Sequence, residues 1–464
     1  MSTIAPVSSR ASILEPEAVA GLRDQLGGQV LLPEDAGYDA GRRIWNGMVD
    51  KRPALIVRAS GVADVRRAVT VAREHDLPIS IKGGGHNVAG HAVSDGGLML
   101  DLGAMRAVWV DPQARTARVQ GGALWSDVDR ETAAFGLATT GGVIASTGVD
   151  GLTLGGGIGW LVGKHGMTID NLLAVDLVTA DGELVTADSE SHADLFWALR
   201  GGGGNFGVAT SFEFKLHPQG DVLAGFVAYP IAEARSVLEF YREFTATCPD
   251  ELTVYAELVK DAESGERVIV IAAFWPDDAA EGERVIAPLR RFGTPVVEMF
   301  DVMPYPAWQA AFEAEFPHGR RYYWKGNLLP ELNDDVIDRA AAYGTEPPLP
   351  WSAVVFEFYR GAMNRVDPAA TAFPHRDAHY QLIAVSASDD PADDAAGVAW
   401  AREVHAATER YALNGAFLNF NSLDPGDRRH RVRAAYGPNW DRLVDVKRRY
   451  DPTNLFRENN NIVP

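Results

Sequence analysis

The chain has 464 residues, 46% of them hydrophobic and 23% charged, which is enough for two lobes that share a substantial core. Its formal charge of −20 repels phosphate backbones and anionic lipid headgroups, so we expect neither a nucleic-acid partner nor a membrane partner. A single cysteine, Cys248, excludes an intramolecular disulfide framework and suits a reducing compartment. Because the sequence shows no leader-like start and no long apolar run, we expect a cytoplasmic protein.

The pattern of the first 220 residues is typical of an α+β domain. A β-α-β unit is predicted from strands at 54–58 and 78–82 around a helix at 62–75. The further predicted elements are strands at 98–101, 107–110 and 116–120, a helix at 124–134, a hairpin at 173–187, a helix at 192–199 and a strand at 208–216. The turn-forming segment Pro218-Gln219-Gly220 ends this domain, which is predicted at 1–220.

The rest of the chain has a different pattern and is expected to form a second domain, at 221–420. Its apolar β runs are separated by long helical patterns, which predicts a sheet covered by helices. These runs are found at 252–259, 267–274, 354–359 and 380–385. A C-terminal segment, 421–464, follows with predicted helices at about 427–435 and 440–450.

One glycine motif matches the dinucleotide-binding fingerprint G-x-G-x-x-G, at Gly202, Gly204 and Gly207. The fingerprint requires a strand before the glycines and a helix after them, because the helix N-terminus faces the pyrophosphate. Here the predicted helix comes first and the strand second. We therefore reject a Rossmann site.

A glycine loop after the second predicted strand offers another way to hold a dinucleotide. Consecutive small residues between Gly83 and His91 expose backbone N–H groups that can form an anion-binding nest. His86 follows the glycines directly, but taken alone it is explained better as a turn histidine hydrogen-bonded to backbone. A metal held by His86 and His91 lacks a convergent third ligand.

Local patterns offer two alternative types of catalytic site. His375, Asp377 and His379 would share one face of an extended segment and could ligate a metal, but polar residues at the start of a strand commonly form a turn. The chain has no G-x-S-x-G elbow, which disfavours serine-hydrolase chemistry. We expect no metal.

Glycine-rich segments at 141–163 and 201–207 complete the pattern. A tight packing of small residues would explain part of it. Three separated glycine segments also allow one extended ligand to lie across several loops, which suits FAD better than a mononucleotide.

At these residues the chain resembles the vanillyl-alcohol-oxidase superfamily of flavin oxidases, and within it the berberine-bridge-enzyme-like branch near the hydroxynicotine-oxidase-like and favorskiiase-like members. The matches are Gly84-Gly85-His86-Asn87 with Gly90, the block at 148–171, and the ending at 450–464. The resemblance covers nearly the whole chain. It implies an α+β fold with a PCMH-type FAD-binding domain of two α+β subdomains, core at about 48–218, a substrate domain with an antiparallel sheet covered by helices, and a tail that returns to the FAD domain.

The resemblance also implies how FAD is held. The family's histidine that bonds the flavin 8α-methyl falls on His86. Many relatives add a cysteinyl bond, but the matching position here is Ile144, and Cys248 lies outside the matching segment, so a single histidyl link is expected. The further FAD contacts that the resemblance implies are Lys82, Gly83, Gly84, Gly85, Asn87, Gly90, His91, Thr147, Gly148, Gly151, Gly155, Gly156, Gly157, Gly159, Val208, Asn459 and Asn461.

The expected catalytic groups come from the second domain and the tail. Relatives often carry a catalytic Glu or Gln on the strand at 354–359, where Glu357 and Tyr359 share a face with Val355. The family spacing falls on Val355, but a desolvated carboxylate suits a base, so we favour Glu357 over the alternative of an exposed edge charge. Asn419 and Lys325 match family positions that face flavin or substrate; for Lys325 the alternative is a surface lysine.

The resemblance implies an oxidase that moves a hydride from a small alcohol, amine or aromatic metabolite to FAD and returns the electrons to dioxygen as hydrogen peroxide. Thr147 falls where relatives gate dioxygen, and favorskiiase-like members look similar there, which leaves an oxygenase that uses a flavin-N5 oxygen adduct as an alternative. The alternative for Thr147 itself is a small residue that fills a tight loop. A flavin-binding protein without turnover is the third hypothesis. Substrate and oligomeric state stay open.

Overall fold

The computed structural model describes residues 14–422 and 428–464, so the first residue of the helix predicted at 427–435 lies outside the described residues. Helices of the first half are α1 (Pro16–Gln25), α2 (Tyr38–Arg42), α3 (Val62–Glu74), α4 (Trp125–Ala133), α5 (Val149–Leu154), α6 (Val162–His165) and α7 (Ala193–Leu199). Those of the second half are α8 (Ala234–Thr247), α9 (Ala279–Arg291), α10 (Tyr305–Gln309), α11 (Asp334–Thr345), α12 (Asp394–Glu409), α13 (Arg428–Tyr436) and α14 (Trp440–Tyr450).

The first sheet has four strands, β1 (Gln29–Leu31), β2 (Leu55–Arg58), β3 (Ile79–Lys82) and β4 (Leu98–Asp101). Their order is β1-β2-β4-β3, with β4 parallel to both β2 and β3 and β1 antiparallel to β2. The crossover from β2 to β3 runs through α3, as a parallel arrangement requires. β3 therefore ends at the same edge as β4 and delivers the glycine loop that follows Lys82 to that edge.

The second sheet has five antiparallel strands, β5 (Val108–Asp111), β6 (Thr116–Gln120), β8 (Leu172–Val178), β9 (Leu184–Asp188) and β10 (Val208–Lys215), in the order β5-β6-β10-β8-β9. A two-strand ladder joins β7 (Leu137–Ala138) to β11 (His217–Pro218). The predicted hairpin is confirmed as β8 and β9. Two mixed α+β subdomains thus make up the first lobe.

The third sheet has seven antiparallel strands, β12 (Asp221–Pro230), β13 (Thr253–Lys260), β14 (Arg267–Trp275), β15 (Val297–Pro304), β16 (Arg321–Leu329), β17 (Ala353–Phe358) and β18 (Tyr380–Ser388). Their order is β15-β12-β14-β13-β17-β18-β16. Sequence patterns did not predict β12 or β15, and a strand at β16 was expected only in the alternative that made Lys325 a surface residue. The expectation of an antiparallel sheet covered by helices is confirmed.

Alternation along the strands divides this sheet into a helix-covered face and an open face. On β17, Val354, Phe356 and Phe358 enter a large core with α8, α11 and α12. The intervening residues Val355 and Glu357 point the other way, toward the first lobe. The open face of the sheet is thus available to form one wall of a site.

The C-terminal helices pack on the first lobe. Leu443, Val444 and Val446 of α14 share a core with α7 and the five-stranded sheet. Beyond α14, Ile462 donates its backbone N–H to Oδ1 of Asn205 at 2.9 Å. None of the helices in the described ranges combines the length and apolar character needed to cross a bilayer.

Candidate active site

A long cavity lies between the first lobe and the open face of the seven-stranded sheet. The space between its walls, together with the open solvent at its mouth, amounts to about 2130 Å³. Its walls come from the loop after β3, the segment around α5, the loop before β10, strands β13, β17 and β18, and the C-terminal tail. The sequence-distant glycine segments therefore meet at one site.

The loop after β3 is held against the second glycine segment by direct backbone contact. A Cβ on Gly84 would lie 2.5 Å from the backbone N of Gly148, so neither position has room for a side chain. Gly83, Gly84, Gly85 and Asn87 all line the cavity. The tight approach explains why glycine is needed here and exposes the loop's backbone to the cavity.

His86 lies on the cavity wall with a fixed ring and a free nitrogen. Its ring stacks on Trp45, with centroids 4.3 Å apart, and Trp45 in turn stacks on Tyr322 of β16 at 3.9 Å. The Nε2 atom is buried and has no hydrogen-bond partner among the described residues. Burial, reinforced by His318, lowers the pKa of His86 to about 3. The imidazole is therefore neutral at physiological pH.

Other glycines leave open space where a ligand could lie. A Cβ added to Gly151 or Gly204 would meet nothing within 4 Å, and both residues line the cavity. Gly203, in the left-handed region at φ 72°, lines it as well. These positions form a cradle that side chains would narrow.

Several predicted cofactor residues do not line the cavity. Gly156, Gly157 and Gly159 are glycines for packing: a Cβ at Gly157 would lie 2.2 Å from Oγ1 of Thr168, and one at Gly159 would lie 2.5 Å from the carbonyl oxygen of Gly141. This corrects the expectation that all these glycines face a ligand. The alternative of a small-residue packing segment describes this part of the chain.

Four more predicted contacts are also displaced from the wall. The Lys82 ammonium donates to the carbonyl oxygen of Gly41 at 3.2 Å, away from the cavity. A Cβ at Gly90 would collide with Val49, and Val208 is fully buried in the core of the first lobe. The remaining one, Asn461, is not among the residues that line the cavity, whereas its neighbours Asn459 and Asn460 are.

The tail is anchored to the third glycine segment through Lys447, which also forms a buried ion pair within the tail. Nζ of Lys447 lies 2.6 Å from Oδ2 of Asp451, and both side chains are 0% exposed. The same ammonium donates to the carbonyl oxygens of Asn205 at 2.7 Å and Phe456 at 3.0 Å. Asn459 donates to the carbonyl oxygen of Gly204 at 3.0 Å.

The third glycine segment follows α7 and precedes β10. This order, helix first and strand second, confirms the rejection of a Rossmann site.

Glu357 lies on the opposite wall, in the interior of the sheet between β13 and β18. It is 5% exposed, which overturns the alternative of an exposed edge charge. Burial raises the pKa of its carboxyl to about 7. The hydroxyl of Tyr359 donates to Oε2 of Glu357 from outside the cavity, so Tyr359 supports the carboxyl and does not line the wall.

Lys325 is buried, which corrects the alternative of a surface lysine, but it does not line the cavity either. It follows Trp324 on β16, and since Trp324 faces the cavity, alternation turns Lys325 to the other face. Its ammonium donates to the carbonyl oxygen of Ser422 at 2.7 Å. Asn419 and Thr147 do line the cavity, and Asn419 contacts the carbonyl oxygen of Leu152 at 3.4 Å.

Sequence reasoning missed several polar residues on the wall, among them the buried Tyr255 and Asp150 and the half-buried Glu257. Tyr255 and Glu257 of β13 face the cavity beside Glu357, and Asp150 faces it from α5. Burial raises the pKa of Asp150 to about 7, and burial together with Glu315 and Glu357 raises that of Glu257 to about 8. The signals were present: an acidic residue inside a glycine segment, and a Tyr-x-Glu pair on a predicted strand.

The described residues contain no group of three His, Cys, Asp or Glu side chains that could hold a metal ion. In the segment 375–379, where the sequence offered three possible metal ligands, His375 is buried and bonds the carbonyl oxygen of Ala435 at 2.7 Å. Asp377 and His379 are exposed. The segment is a turn before β18, as the alternative had it.

Comparison with known proteins decides the family. An FAD binding domain model matches residues 53–188, and a berberine and berberine-like model matches residues 416–463. The (R)-6-hydroxynicotine oxidase of Paenarthrobacter nicotinovorans is 34% identical over 453 residues, covering 94% of this chain and 97% of that protein. This chain belongs to the berberine-bridge-enzyme-like family of FAD-linked oxidoreductases.

Further relatives agree with that membership. An FAD-linked oxidoreductase of Dictyostelium discoideum is 32% identical over 424 residues, covering 90% of this chain and 91% of that protein. The crystal structure of 6-hydroxy-D-nicotine oxidase from Arthrobacter nicotinovorans superposes with a TM-score of 0.84 at 33% identity, covering 95% of this chain and 98% of that one. A chitooligosaccharide oxidase, at 23% identity, shares the fold with a TM-score of 0.85 over 96% of this chain and 99% of that one.

The cavity of this berberine-bridge-enzyme-like chain fits FAD. Its glycine cradle leaves room for an elongated ligand, and unpartnered buried polar atoms face that space, among them Nε2 of His86 and the Oδ1 atoms of Asn459 and Asn460. A dinucleotide needs many backbone donors and few side chains, which is what three glycine segments offer. The two family matches contain His86, Asn459, Asn460 and the first two glycine segments, whereas the third glycine segment, Glu257 and Glu357 lie between the matched ranges.

Proposed function

We propose that this oxidoreductase is an FAD-dependent oxidase whose flavin is held by one covalent bond, to His86, and whose reduced flavin is reoxidised by dioxygen to give hydrogen peroxide. The substrate is a small organic molecule that gives up a hydride, such as an alcohol, an amine or an aromatic metabolite. The observation that carries the proposal is the pairing, across one cavity, of a neutral histidine with a free nitrogen and a buried carboxyl.

His86 supports the covalent link through its protonation state and its fixed position. A nitrogen that attacks an electrophilic methyl group must carry a free lone pair, and the lowered pKa keeps the imidazole neutral. Stacking on Trp45 holds the ring in one orientation. Ile144 lines the cavity at the position where relatives carry a second bond, and Cys248 lies in the helix-side core of the other lobe. A single link follows.

Glu357 supports the chemistry on the other wall. FAD supplies a two-electron acceptor when it is bound. A substrate that loses hydride from carbon must also lose a proton from its oxygen or nitrogen, and a general base with a pKa near the working pH accepts that proton most efficiently. The carboxyl of Glu357 has a pKa of about 7, and the hydroxyl of Tyr359 orients it. Thr147 lines the cavity beside Gly148, which supports the proposal that it controls the access of dioxygen to the flavin.

Anaerobic reduction followed by admission of air tests the oxidase proposal. The purified protein is mixed without oxygen with a panel of alcohols, amines, sugars and aromatic metabolites while its flavin absorbance is recorded. We expect bleaching by one class, and recovery with one equivalent of hydrogen peroxide when air enters. Reduced protein that reacts only with artificial acceptors would contradict the oxidase proposal.

Acid precipitation tests the link. Flavin should stay in the pellet of the wild-type protein and leave it in His86→Ala, because no other covalent bond is proposed. His91→Ala is the matched control, since His91 also lines the cavity, and its flavin should remain in the pellet. Flavin still fixed in the His86→Ala pellet would refute the assignment.

A further inference from the structure

The open face of the seven-stranded sheet carries a compact polar patch beside an apolar wall. In the register of the sheet, Tyr255 of β13 lies opposite Glu357 of β17, and Glu257 lies one alternation further along, opposite Val355. All of these residues line the cavity. The patch is thus one hydrogen-bonding corner on the substrate wall, and we refer to Tyr255, Glu257 and Glu357 as the acid corner.

The hydroxyl of Tyr255 is an independent sign of a ligand. The side chain is 1% exposed, and its hydroxyl has no hydrogen-bond partner among the described residues. A buried hydroxyl without a partner costs free energy, which a bound group that hydrogen-bonds to it would recover. Because Tyr255 lines the cavity beside Glu357, this unmet hydrogen bond is directed at the same space as the two carboxyls.

The ionisable groups around the corner are acidic. Glu315 lies close enough to Glu257 to raise the pKa of its carboxyl, and Glu357 adds to the effect. Neither carboxyl of the corner has an ion pair in the described part of the chain, and no lysine or arginine from that part lines the cavity. Carboxyls in a dry site are stabilised strongly by a cation that enters it, since electrostatic interactions are larger there than in water.

The rest of the wall is apolar. Val355, Ile383 and Val385 share the open face with Trp324. Phe312 and Phe316 line the cavity as well. A ligand that matches both the acid corner and the apolar wall beside it has a positively charged head and an apolar or aromatic body.

Resting on the proposed function, we propose that the acid corner receives the ammonium group of a cationic amine substrate, whose apolar or aromatic body lies on the adjoining wall. Glu257 and Tyr255 then bind and orient the amine, and Glu357 takes one proton from its nitrogen. The neutral amine gives a hydride from the adjacent carbon to FAD, which forms a carbon–nitrogen double bond. Hydrolysis by water yields the carbonyl product and releases the nitrogen as ammonia or, where it stays attached to the body, as a free amine. Dioxygen accepts the two electrons together with the proton of the hydride and the proton held by Glu357, which gives hydrogen peroxide.

Binding of unreactive probes to the holoenzyme tests the corner without turnover. Phenyltrimethylammonium carries the charge, and 2-phenyl-2-propanol is a nearly isosteric neutral molecule; neither can be oxidised at the atom next to the ring. Titrations followed by the change in flavin absorbance should show the cation binding at least about ten times more tightly. Equal affinity for both probes would overturn the proposal.

Variants locate the effect. Above pH 8, where the Glu257 carboxyl is ionised, Glu257→Gln should weaken binding of the cation by about tenfold and leave binding of the alcohol within about threefold, because only the charge is removed. Glu315→Gln is the matched control, since Glu315 lies beside Glu257 but does not line the cavity, and it should change cation binding less than Glu257→Gln does. Retained flavin and an unchanged melting temperature show that each variant is folded. A cation preference that persists in the Glu257→Gln, Glu357→Gln double variant would refute the corner.

These probes separate the two proposals. Tight binding of the cation, with no reduction of the flavin by any amine or alcohol, would leave the acid corner standing and refute the oxidase. Reduction by alcohols followed by reoxidation in air, with no preference for the cation, would leave the oxidase standing and refute the corner.

Discussion

Glu357 is buried and accepts a hydrogen bond from Tyr359, and its pKa should determine how the rate of flavin reduction depends on pH. Its carboxyl has a pKa raised to about 7 by burial, so the base form appears as the pH rises through that value. We expect the rate of flavin reduction to increase across this range. Glu357→Gln should slow reduction by about 10²- to 10⁴-fold and abolish the pH dependence. Stopped-flow reduction from pH 6 to pH 9 measures both, and an unchanged profile in the variant would assign the base elsewhere.

The hydrogen bond from Tyr359 should lower the pKa of the Glu357 carboxyl. The Tyr359 hydroxyl donates to Oε2 of Glu357 and favours the charged carboxylate. Removing it in Tyr359→Phe raises the pKa of Glu357 further, so the rise in rate should move to higher pH while the plateau stays within a few fold. A profile that moves to lower pH, or a plateau that collapses at every pH, would contradict this role.

At the level of residues, the sequence predicted Glu357 on a cavity-facing strand but could not predict Tyr255 as its neighbour. Periodicity assigns a residue to a face of a strand, whereas the pairing of β13 with β17 depends on contacts between segments about one hundred residues apart. The bond of Lys325 to the Ser422 carbonyl could not be predicted for the same reason, since it joins two distant segments. Trp324 faces the cavity from β16, and alternation along this strand turns the neighbouring Lys325 side chain to the other face.

At the level of elements, patterns in the first lobe gave bounds close to the observed ones. The strands at 98–101 and 116–120 and the helix at 440–450 have the same ends in the structure. Glycines were harder to interpret, because the same residue type serves ligand approach at Gly151 and backbone packing at Gly157. Only the neighbours in space distinguish the two roles.

The buried ion pair of Lys447 with Asp451 explains why an aspartate is needed in the family-like ending at 450–464. Removing one partner of a fully buried pair leaves an uncompensated charge, which costs about 3–5 kcal/mol. Lys447→Met should therefore lower the melting temperature and loosen the contact of the tail with Asn205, so that the flavin environment becomes more solvent-exposed. Thermal melts and flavin fluorescence measure the two effects.

Arg448→Met is the control for that experiment. Arg448 pairs with Asp445 at the surface, where the side chains are 60% and 75% exposed, and such pairs contribute about 0–1 kcal/mol. The control should melt close to the wild-type protein. If Lys447→Met melts with it, the buried pair does not anchor the tail.

At the level of the whole molecule, the two lobes are joined by contacts that no local pattern discloses. One is the stack of His86, Trp45 and Tyr322, which connects the loop after β3 to β16. Another joins α4 to α10, where the amide of Gln309 donates to Oδ2 of Asp129 at 3.1 Å. Both bring together residues more than one hundred positions apart, so they follow from the folded arrangement and not from sequence spacing.

The Asp129 contact makes the joint between the lobes sensitive to pH. Burial raises the pKa of Asp129 to about 7, above its unfolded value of about 4. Below pH 4 both states carry the proton. Between pH 4 and pH 7 only the folded state does, so stability falls as the pH rises through this window. Histidines with lowered pKa values, such as His86 and His165, act in the opposite direction as the pH falls from about 6.5.

Comparison with Asp129→Asn isolates the carboxyl, because the histidine contribution is common to both proteins. The wild-type protein should lose about 2 kcal/mol relative to the variant between pH 5 and pH 7.5, which appears as a melting-temperature difference that moves in favour of the variant. Glu131→Gln, on the same helix but 43% exposed, should stay within about 0.5 kcal/mol of the wild-type protein. A difference for Asp129→Asn that is the same at both pH values would show that this carboxyl is already ionised in the folded protein.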